Sequence, residues 1–284
     1  MARVGGENRI QMSFRSHLGR DMDLRSRSNQ AILAMVAVVA LIALIRWIDG
    51  RSLTVFLAPA TVFAVWALGR EIDADHNWTA LLAALGAAVW ALRGIDWMAV
   101  VAFAGLVGMG RLISNTTGRP PLPVDRMVVA IAGIVIGITA VGWVAGFGLA
   151  VALYIDDRMG EFPNSGQVMA AAVTAIGTTA VAAISGAFSA GLPVVTPYLA
   201  VVTAAIALLL ALREPAEPTS FVDFDVGTQM DKRRLHASRV TVGLTLLGMT
   251  VLAGPDALDL VPAIFMLALA VVSNEAELAR RSRR

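Results

Sequence analysis

The sequence predicts an all-helical, polytopic integral membrane protein, and its composition and its apolar segments are the observations that predict it. Hydrophobic residues make up 57% of the chain and charged residues 15%, whereas a soluble domain carries about 25% charged residues. Apolar segments of helical length recur from residue 31 to residue 272, with short polar connectors between them. The chain contains no cysteine, which excludes disulfides, thiolate metal sites and cysteine nucleophiles.

Residues 1–29 form a basic leader ahead of the first apolar segment. Phe14, Leu18 and Met22 recur every four residues, a spacing that fits a short helix lying at the membrane surface. A disordered leader is the simpler interpretation, and we favour it. Basic residues at segment ends suit anionic lipid headgroups, so we expect membrane lipid as a partner and no nucleic acid.

Residues 30–284 are predicted to form a single membrane domain. Its first half (30–126) and its second half (167–273) each contain four apolar segments, and a basic tail (274–284) follows. Trp47, Trp78 and Trp97 lie at segment edges, as in the aromatic belts of membrane proteins. The predicted regular spans are residues 31–45, 53–68, 79–92, 97–110, 168–188, 193–212, 240–253 and 257–272.

The central stretch 127–155 decides how the second half is threaded. It has 29 residues without a charge, and one helix of that length would measure about 43 Å, against a hydrocarbon core of about 30 Å. The alternative is a hairpin that breaks in the glycine-rich part between Gly142 and Gly148 and returns to its starting side. Each arm would then be about 21 Å long, too short for a comfortable span.

Basic residues discriminate between these threadings. With a hairpin, 20 Lys and Arg residues lie on one side and 3 on the other, whereas a single central span gives 10 and 13. The positive-inside rule therefore favours eight regular spans plus a hairpin, with both termini cytoplasmic. We accordingly expect the inner (cytoplasmic) membrane as the location. A model with eight spans, in which 79–110 and 127–155 are single passes, is the alternative.

A weak internal similarity suggests a repeat of four helices in each half. Residues 79–86 match residues 241–248 at four of eight positions. Ser114-Asn115 ends the predicted helix after the first of these segments, and Ser273-Asn274 ends its counterpart after the second. Chance similarity among Ala- and Leu-rich helices is the competing explanation.

Function is less constrained than topology. The predicted spans have no ionisable residue near their centres, which argues against a proton relay or voltage sensor. We favour a small permease or solute-binding membrane protein, whose pathway would pass Thr178 and Gly142 and which needs no cofactor. Helix packing is the alternative use of these small residues, and the same small-residue faces would support an oligomer.

The alternative function is a membrane-embedded enzyme acting on a phosphate-bearing lipid or prenyl substrate at the cytoplasmic face. In that reading, Mg²⁺ binds the carboxylates of two connectors, and nearby arginines bind phosphate. The candidate metal ligands are Asp73, Asp75, Asp223 and Asp225, and the candidate phosphate-binding residues are Arg70 and Arg233. Ordinary solvated connectors with helix caps would look the same.

Two four-helix halves, each with an acidic connector, resemble the layout of UbiA-type intramembrane prenyltransferases. The resemblance implies an enzyme with Asp-rich loops at the cytoplasmic face. The family's Asn-Asp-x-x-Asp signature is absent, because Val65, Trp66 and Gly69 occupy the positions ahead of Arg70 where its first polar residues would fall. No catalytic role is therefore transferred.

Overall fold

The computed structural model describes residues 18, 22, 24–50, 52–118, 121–139, 141–160, 165–188, 197–222 and 228–283. Across these residues the chain is helical, apart from loops and one isolated bridge between Phe221 and Gln229. The α-helices are α1 (Arg27–Ile48), α2 (Ala58–Ile72), α3 (Asn77–Ala91), α4 (Trp97–Ser114), α5 (Pro123–Ile136), α6 (Gly142–Met159), α7 (Ser165–Ile184), α8 (Pro197–Leu212), α9 (Lys232–Ala253) and α10 (Val261–Arg281). Short 3₁₀ segments, Leu53–Leu57 and Gly254–Leu260, precede α2 and α10.

Six of the helical segments in the described part of the chain are long and apolar enough to cross a membrane. This agrees with the predicted all-helical membrane protein. α3 and α8 are apolar but shorter, with 15 and 16 residues. The predicted count of eight regular spans and the predicted four-plus-four repeat therefore stay predictions. The six segments are Arg27–Ile48, Leu53–Ile72, Trp97–Ser114, Ser165–Ile184, Lys232–Ala253 and Asp256–Arg281.

Polar contacts gather the helix termini at two ends of the molecule. At one end, the last turn of α2 contacts the last turn of α4 through Glu71 and Arg111, and the start of α9 contacts the end of α6 through Arg234 and Asp156. We call this the charged end. At the other, which we call the far end, the connector after α3 contacts the one before α10 through Arg93 and Asp259.

The central stretch is broken in the structure. α5 ends at Ile136 and α6 begins at Gly142, and the Thr139 hydroxyl lies in the break, where it donates to the Ile136 carbonyl and accepts the Gly142 amide proton at 2.8 Å. The two arms contact each other closely, because a Cβ added to Gly146 would lie 2.5 Å from the Gly133 carbonyl oxygen. The break thus falls just before the glycine-rich part where the sequence analysis placed it.

The core lies between α4, α6 and α9, and α4 contributes more of the large, fully buried side chains than any other described helix. Phe103, Leu106 and Met109 on α4 are fully buried, as are Leu149 on α6 and Leu246 on α9. The large apolar side chains of α1, α5, α7 and α8 include many that are exposed, as expected of helices whose outer faces contact lipid.

α9 differs from its sequence prediction in length. The predicted span begins at residue 240, whereas the helix begins at Lys232. The earlier start brings Arg234 and Arg239 into the helix, where both are buried. The hydropathy pattern missed these two turns because arginines normally end an apolar segment. Here Arg234 pairs with Asp156 of α6, and Arg239 lies near Asp73, which follows α2.

Candidate functional site

A buried carboxylate at the charged end, Asp73, joins three parts of the chain. It follows α2 and accepts hydrogen bonds from the hydroxyls of Thr79 at 2.8 Å and Ser273 at 2.6 Å. The His76 Nδ1 lies 2.9 Å from its other oxygen, and the Arg239 guanidinium lies 3.6 Å from it. These partners satisfy a carboxylate that is only 2% exposed, as a buried charge requires.

A second buried carboxylate, Glu71, lies two residues earlier, in the last turn of α2. Arg111 of α4 donates to it through Nε at 2.9 Å and through a terminal nitrogen at 2.7 Å. The Thr116 hydroxyl donates to its other oxygen at 2.5 Å. Arg111 also donates to the Leu18 carbonyl at 2.5 Å, which attaches this part of the leader to the charged end.

A third buried pair joins α6 to α9. The Arg234 guanidinium lies 2.6 Å from an Asp156 carboxylate oxygen and also donates to the Ile113 carbonyl. The Gln167 amide donates to the other Asp156 oxygen at 2.5 Å. Sequence reasoning did not single out Asp156, Glu71, Arg234 or Arg239 as functional residues. The signal that could have identified these four residues was their position at a helix end, within one or two turns of the terminus.

His76, at the charged end, has an imidazole whose pKa is raised by its neighbours. The hydrogen bond that His76 makes to the Asp73 carboxylate raises the pKa of His76 above its ordinary value; partial burial opposes this shift, and the nearby carboxylates of Asp75 and Glu277 add to it. His76 precedes α3 in a connector outside the helices. Its positive form therefore stabilises the folded connector.

The direction of the pKa shift gives an expected pH dependence for His76→Gln. Because the folded pKa lies above the unfolded value of about 6.5, the stabilisation from His76 is complete below that value and is lost as pH rises through the folded pKa. We expect the parent protein to have a higher unfolding temperature than the variant at about pH 6, and the difference between the two temperatures to be smaller at about pH 9. Unfolding temperatures in detergent measure this; a difference that widens with pH would contradict it.

The predicted metal ligands occupy different surroundings. Asp73 is enclosed by the partners described above, and Asp75 accepts hydrogen bonds from the backbone amides of Thr219 and Ser220 at 3.0 and 2.7 Å. Burial alone would raise the pKa of Asp75, but these hydrogen bonds outweigh it and hold the pKa below its ordinary value. Asp223 and Asp225 lie outside the described residues.

Within the described ranges, no three histidine or acidic side chains converge in a way that would hold a metal ion. The predicted phosphate-binding residues also have separate positions. Arg70 donates a hydrogen bond to the Asn77 side chain, and Arg233 is exposed at the start of α9. Binding of Mg²⁺ and phosphate by these residues stays a prediction.

A cavity of about 240 Å³ opens at the far end, above the break between α5 and α6. Thr139, Val141 and Gly142 form its floor, and Ala99 and Ala102 of α4 form one wall. Met249 and Ala253 of α9, with Met98 and Leu260, complete the apolar lining.

Three carboxylates lie at the rim of this cavity: Asp96, Asp256 and Asp259. Asp96 accepts the Met98 amide proton at 2.7 Å and thereby caps α4. Asp259 accepts from the Arg93 guanidinium at 3.0 Å and from the Asp96 amide at 3.0 Å. The Asp256 residue is exposed at the opening.

The two predicted pathway residues are separated by the structure. Gly142 lines the cavity, whereas Thr178 is fully buried in the interface of α7 with α5 and donates to the Gly133 carbonyl at 3.2 Å. Its methyl group would lie 2.7 Å from a Cβ added to Gly146. In this structure Thr178 therefore fills a helix interface, the packing use of small polar residues that the sequence analysis weighed.

No known protein family matches this chain, and no characterised protein or solved structure shows significant similarity to it.

Proposed function

We propose that this protein is a multi-pass membrane permease, or solute-binding membrane protein, and that the far-end cavity receives its solute. The observation that carries the proposal is the position of the cavity at the tip of a broken helical hairpin. Discontinuous helices at membrane depth are tolerated where they line a cavity or are buried in protein. Secondary transporters use such elements at their binding sites.

Because α5 is shorter than α9, the tip of the hairpin would lie nearer to the charged end than the far-end terminus of α9 does. α5 has 14 residues and is about 21 Å long, which is shorter than a hydrocarbon core of about 30 Å. α9 has 22 residues and is about 33 Å long. A cavity resting on Thr139 and Gly142 would thus lie within the far leaflet, open to water only at its rim.

Charge suggests which solutes enter. The rim carries the carboxylates of Asp96, Asp256 and Asp259, and Arg93 offsets one of them through its ion pair with Asp259. A cleft lined by one sign of charge concentrates ions of the opposite sign. We therefore propose a small neutral or cationic solute rather than an anion.

The same proposal includes an orientation. Only Arg46 and Arg93 among the described basic residues lie towards the far end, whereas the charged end collects the basic residues of the other connectors. The positive-inside rule then assigns the charged end, with both termini, to the cytoplasm. The far-end cavity would open outward.

The absence of native cysteine allows a clean accessibility test with Val141→Cys. Val141 lines the cavity, so a membrane-impermeant maleimide added outside intact cells should label it. Val62→Cys is the matched control, because Val62 is fully buried on α2, and we expect no labelling there. Tetramethylammonium should slow labelling of Val141→Cys and acetate should not. Labelling only from the cytoplasmic side, or none, would contradict the proposal.

A second candidate function, the lipid-directed enzyme, is favoured by one contact. The hypothesis needs the two acidic connectors to converge, and Asp75 of the first binds the Thr219 and Ser220 amides, close in sequence to Asp223 of the second. If Asp75 and Asp225 bind Mg²⁺, replacing either by Ala should reduce Mg²⁺-dependent binding of phospholipid. Asp49→Ala, in the connector after α1, is the control. Equal binding by all variants and the parent would eliminate this candidate.

A further inference from the structure

An apolar groove of about 430 Å³ runs along the molecule between α4 and α5. α4 packs closely on α6 but contacts α5 only sparsely, so the groove separates α4 from α5 and has Leu149 of α6 in its floor. Apart from Arg111, the described residues that line the groove are apolar or glycine.

The outer edge of the groove is continuous with a face that has no protein partner in the described part of the chain. Val128 and Val135 on α5 are 52% and 53% exposed. In a chain whose helices can cross a membrane, such a face contacts hydrocarbon. The groove is therefore open sideways to the lipid, unlike the far-end cavity.

The length of the groove matches the hydrocarbon thickness of one leaflet. Its lining on α4 extends from Val101 to Arg111, ten residues or about 15 Å along the helix axis. Half of a hydrocarbon core of about 30 Å is also about 15 Å. One extended acyl chain of a lipid thus fits the groove from end to end.

Among the described lining residues of the groove, Arg111 is the one with a polar side chain, and it lies at the charged-end terminus. Arg111 is held there by Glu71 and by the Leu18 carbonyl, so its guanidinium is fixed at the level where a lipid in this groove has its headgroup. Three of its five N–H groups donate to Glu71 and Leu18. The two N–H groups that remain on the terminal nitrogens would be the donors for lipid phosphate oxygens. The described basic residues also concentrate at this end, which favours a negatively charged headgroup.

We propose that the groove between α4 and α5 binds one acyl chain of a negatively charged phospholipid, with the lipid phosphate beside Arg111. The proposal depends on the membrane location stated above and is independent of the solute cavity. Leu18 would lie over the acyl chain at the end nearest the headgroup, because its residue lines the groove and its carbonyl accepts a hydrogen bond from Arg111.

The test counts phospholipid that copurifies with the full chain in a mild detergent, by extraction and mass spectrometry. We expect the parent protein to retain about one phospholipid per chain, and Ala132→Trp to lose most of it because the indole would fill the groove. Ala104→Trp, at the exposed edge of the groove, is a second groove variant in case the first does not fold. Ala180→Trp is the matched control on an exposed face of α7, and it should retain the lipid.

The headgroup is tested by returning lipid to the delipidated parent protein. We expect phosphatidylglycerol to bind several-fold better than phosphatidylcholine of the same chain length, and high salt to narrow the difference. Equal lipid retention by folded groove variants and by Ala180→Trp would overturn the groove site. Equal binding of the two phospholipids would overturn the role of Arg111. Neither outcome depends on whether Val141→Cys is labelled, so failure of the permease proposal remains distinguishable.

Discussion

Arg234→Ala should lower the free energy of unfolding by about 3–5 kcal/mol. The substitution leaves the Asp156 carboxylate, which is 4% exposed, without its cation. Gln167 still donates one hydrogen bond to it, but a buried carboxylate with no positive partner is costly. The lower stability of the variant is measured in detergent as the temperature at which the folded protein disappears from size-exclusion chromatograms taken after heating.

The neighbouring residue provides the control for this prediction. Arg233 is exposed at the same helix start, so Arg233→Ala removes an identical charge without leaving a buried partner. We expect little change in its unfolding temperature. If Arg233→Ala and Arg234→Ala were equally stable, the pair between α6 and α9 would contribute nothing to the fold.

Gly146→Ala should destabilise the hairpin and lower the free energy of unfolding by about 1–3 kcal/mol, with the upper part of that range expected. The added methyl would lie 2.5 Å from the Gly133 carbonyl oxygen and within 3 Å of two Thr178 side-chain atoms. Because the nearest atom belongs to the backbone, the arms of the hairpin must separate to admit it.

Gly105→Ala is the matched control for the hairpin variant. Its added methyl would lie 3.4 Å from the Ile136 side chain and 3.6 Å from Ala145, which are ordinary contacts. Both substitutions replace a helical glycine by alanine and gain the same helix propensity. The difference between their unfolding temperatures therefore reports packing alone, and equal temperatures would show that α5 and α6 do not pack as described.

The coarse fold was readable from the sequence because apolar length and glycine spacing are local signals. A charge-free stretch longer than a membrane is thick predicted either one tilted helix or a hairpin broken between Gly142 and Gly148, and in the structure the break lies just before Gly142. The count of regular spans was less readable, since α3 and α8 are shorter than a full span. The start of α9 was misplaced because the sequence does not reveal that Arg234 and Arg239 meet carboxylates from distant parts of the chain.

The candidate sites were harder to predict for the same reason. Gly142 was identified from the glycine pattern, and it lines the cavity. Asp96 and Asp259, which meet at the rim, are separated by 163 residues, and neither lies in a motif. The groove beside Arg111 is a property of the spacing between two helices, to which residue type gives no direct clue.

The unequal distribution of polar contacts has a mechanical consequence. At the charged end, carboxylates joined to arginines and hydroxyls cross-link α2, α4, α6, α9 and α10. At the far end the corresponding ion pair in the described residues is Arg93 with Asp259, which is partly exposed. We therefore expect the helices to move relative to one another more easily at the far end than at the charged end. A tilt of a few degrees about the charged end would scarcely move that end, yet it would widen or close the rim by a few ångströms.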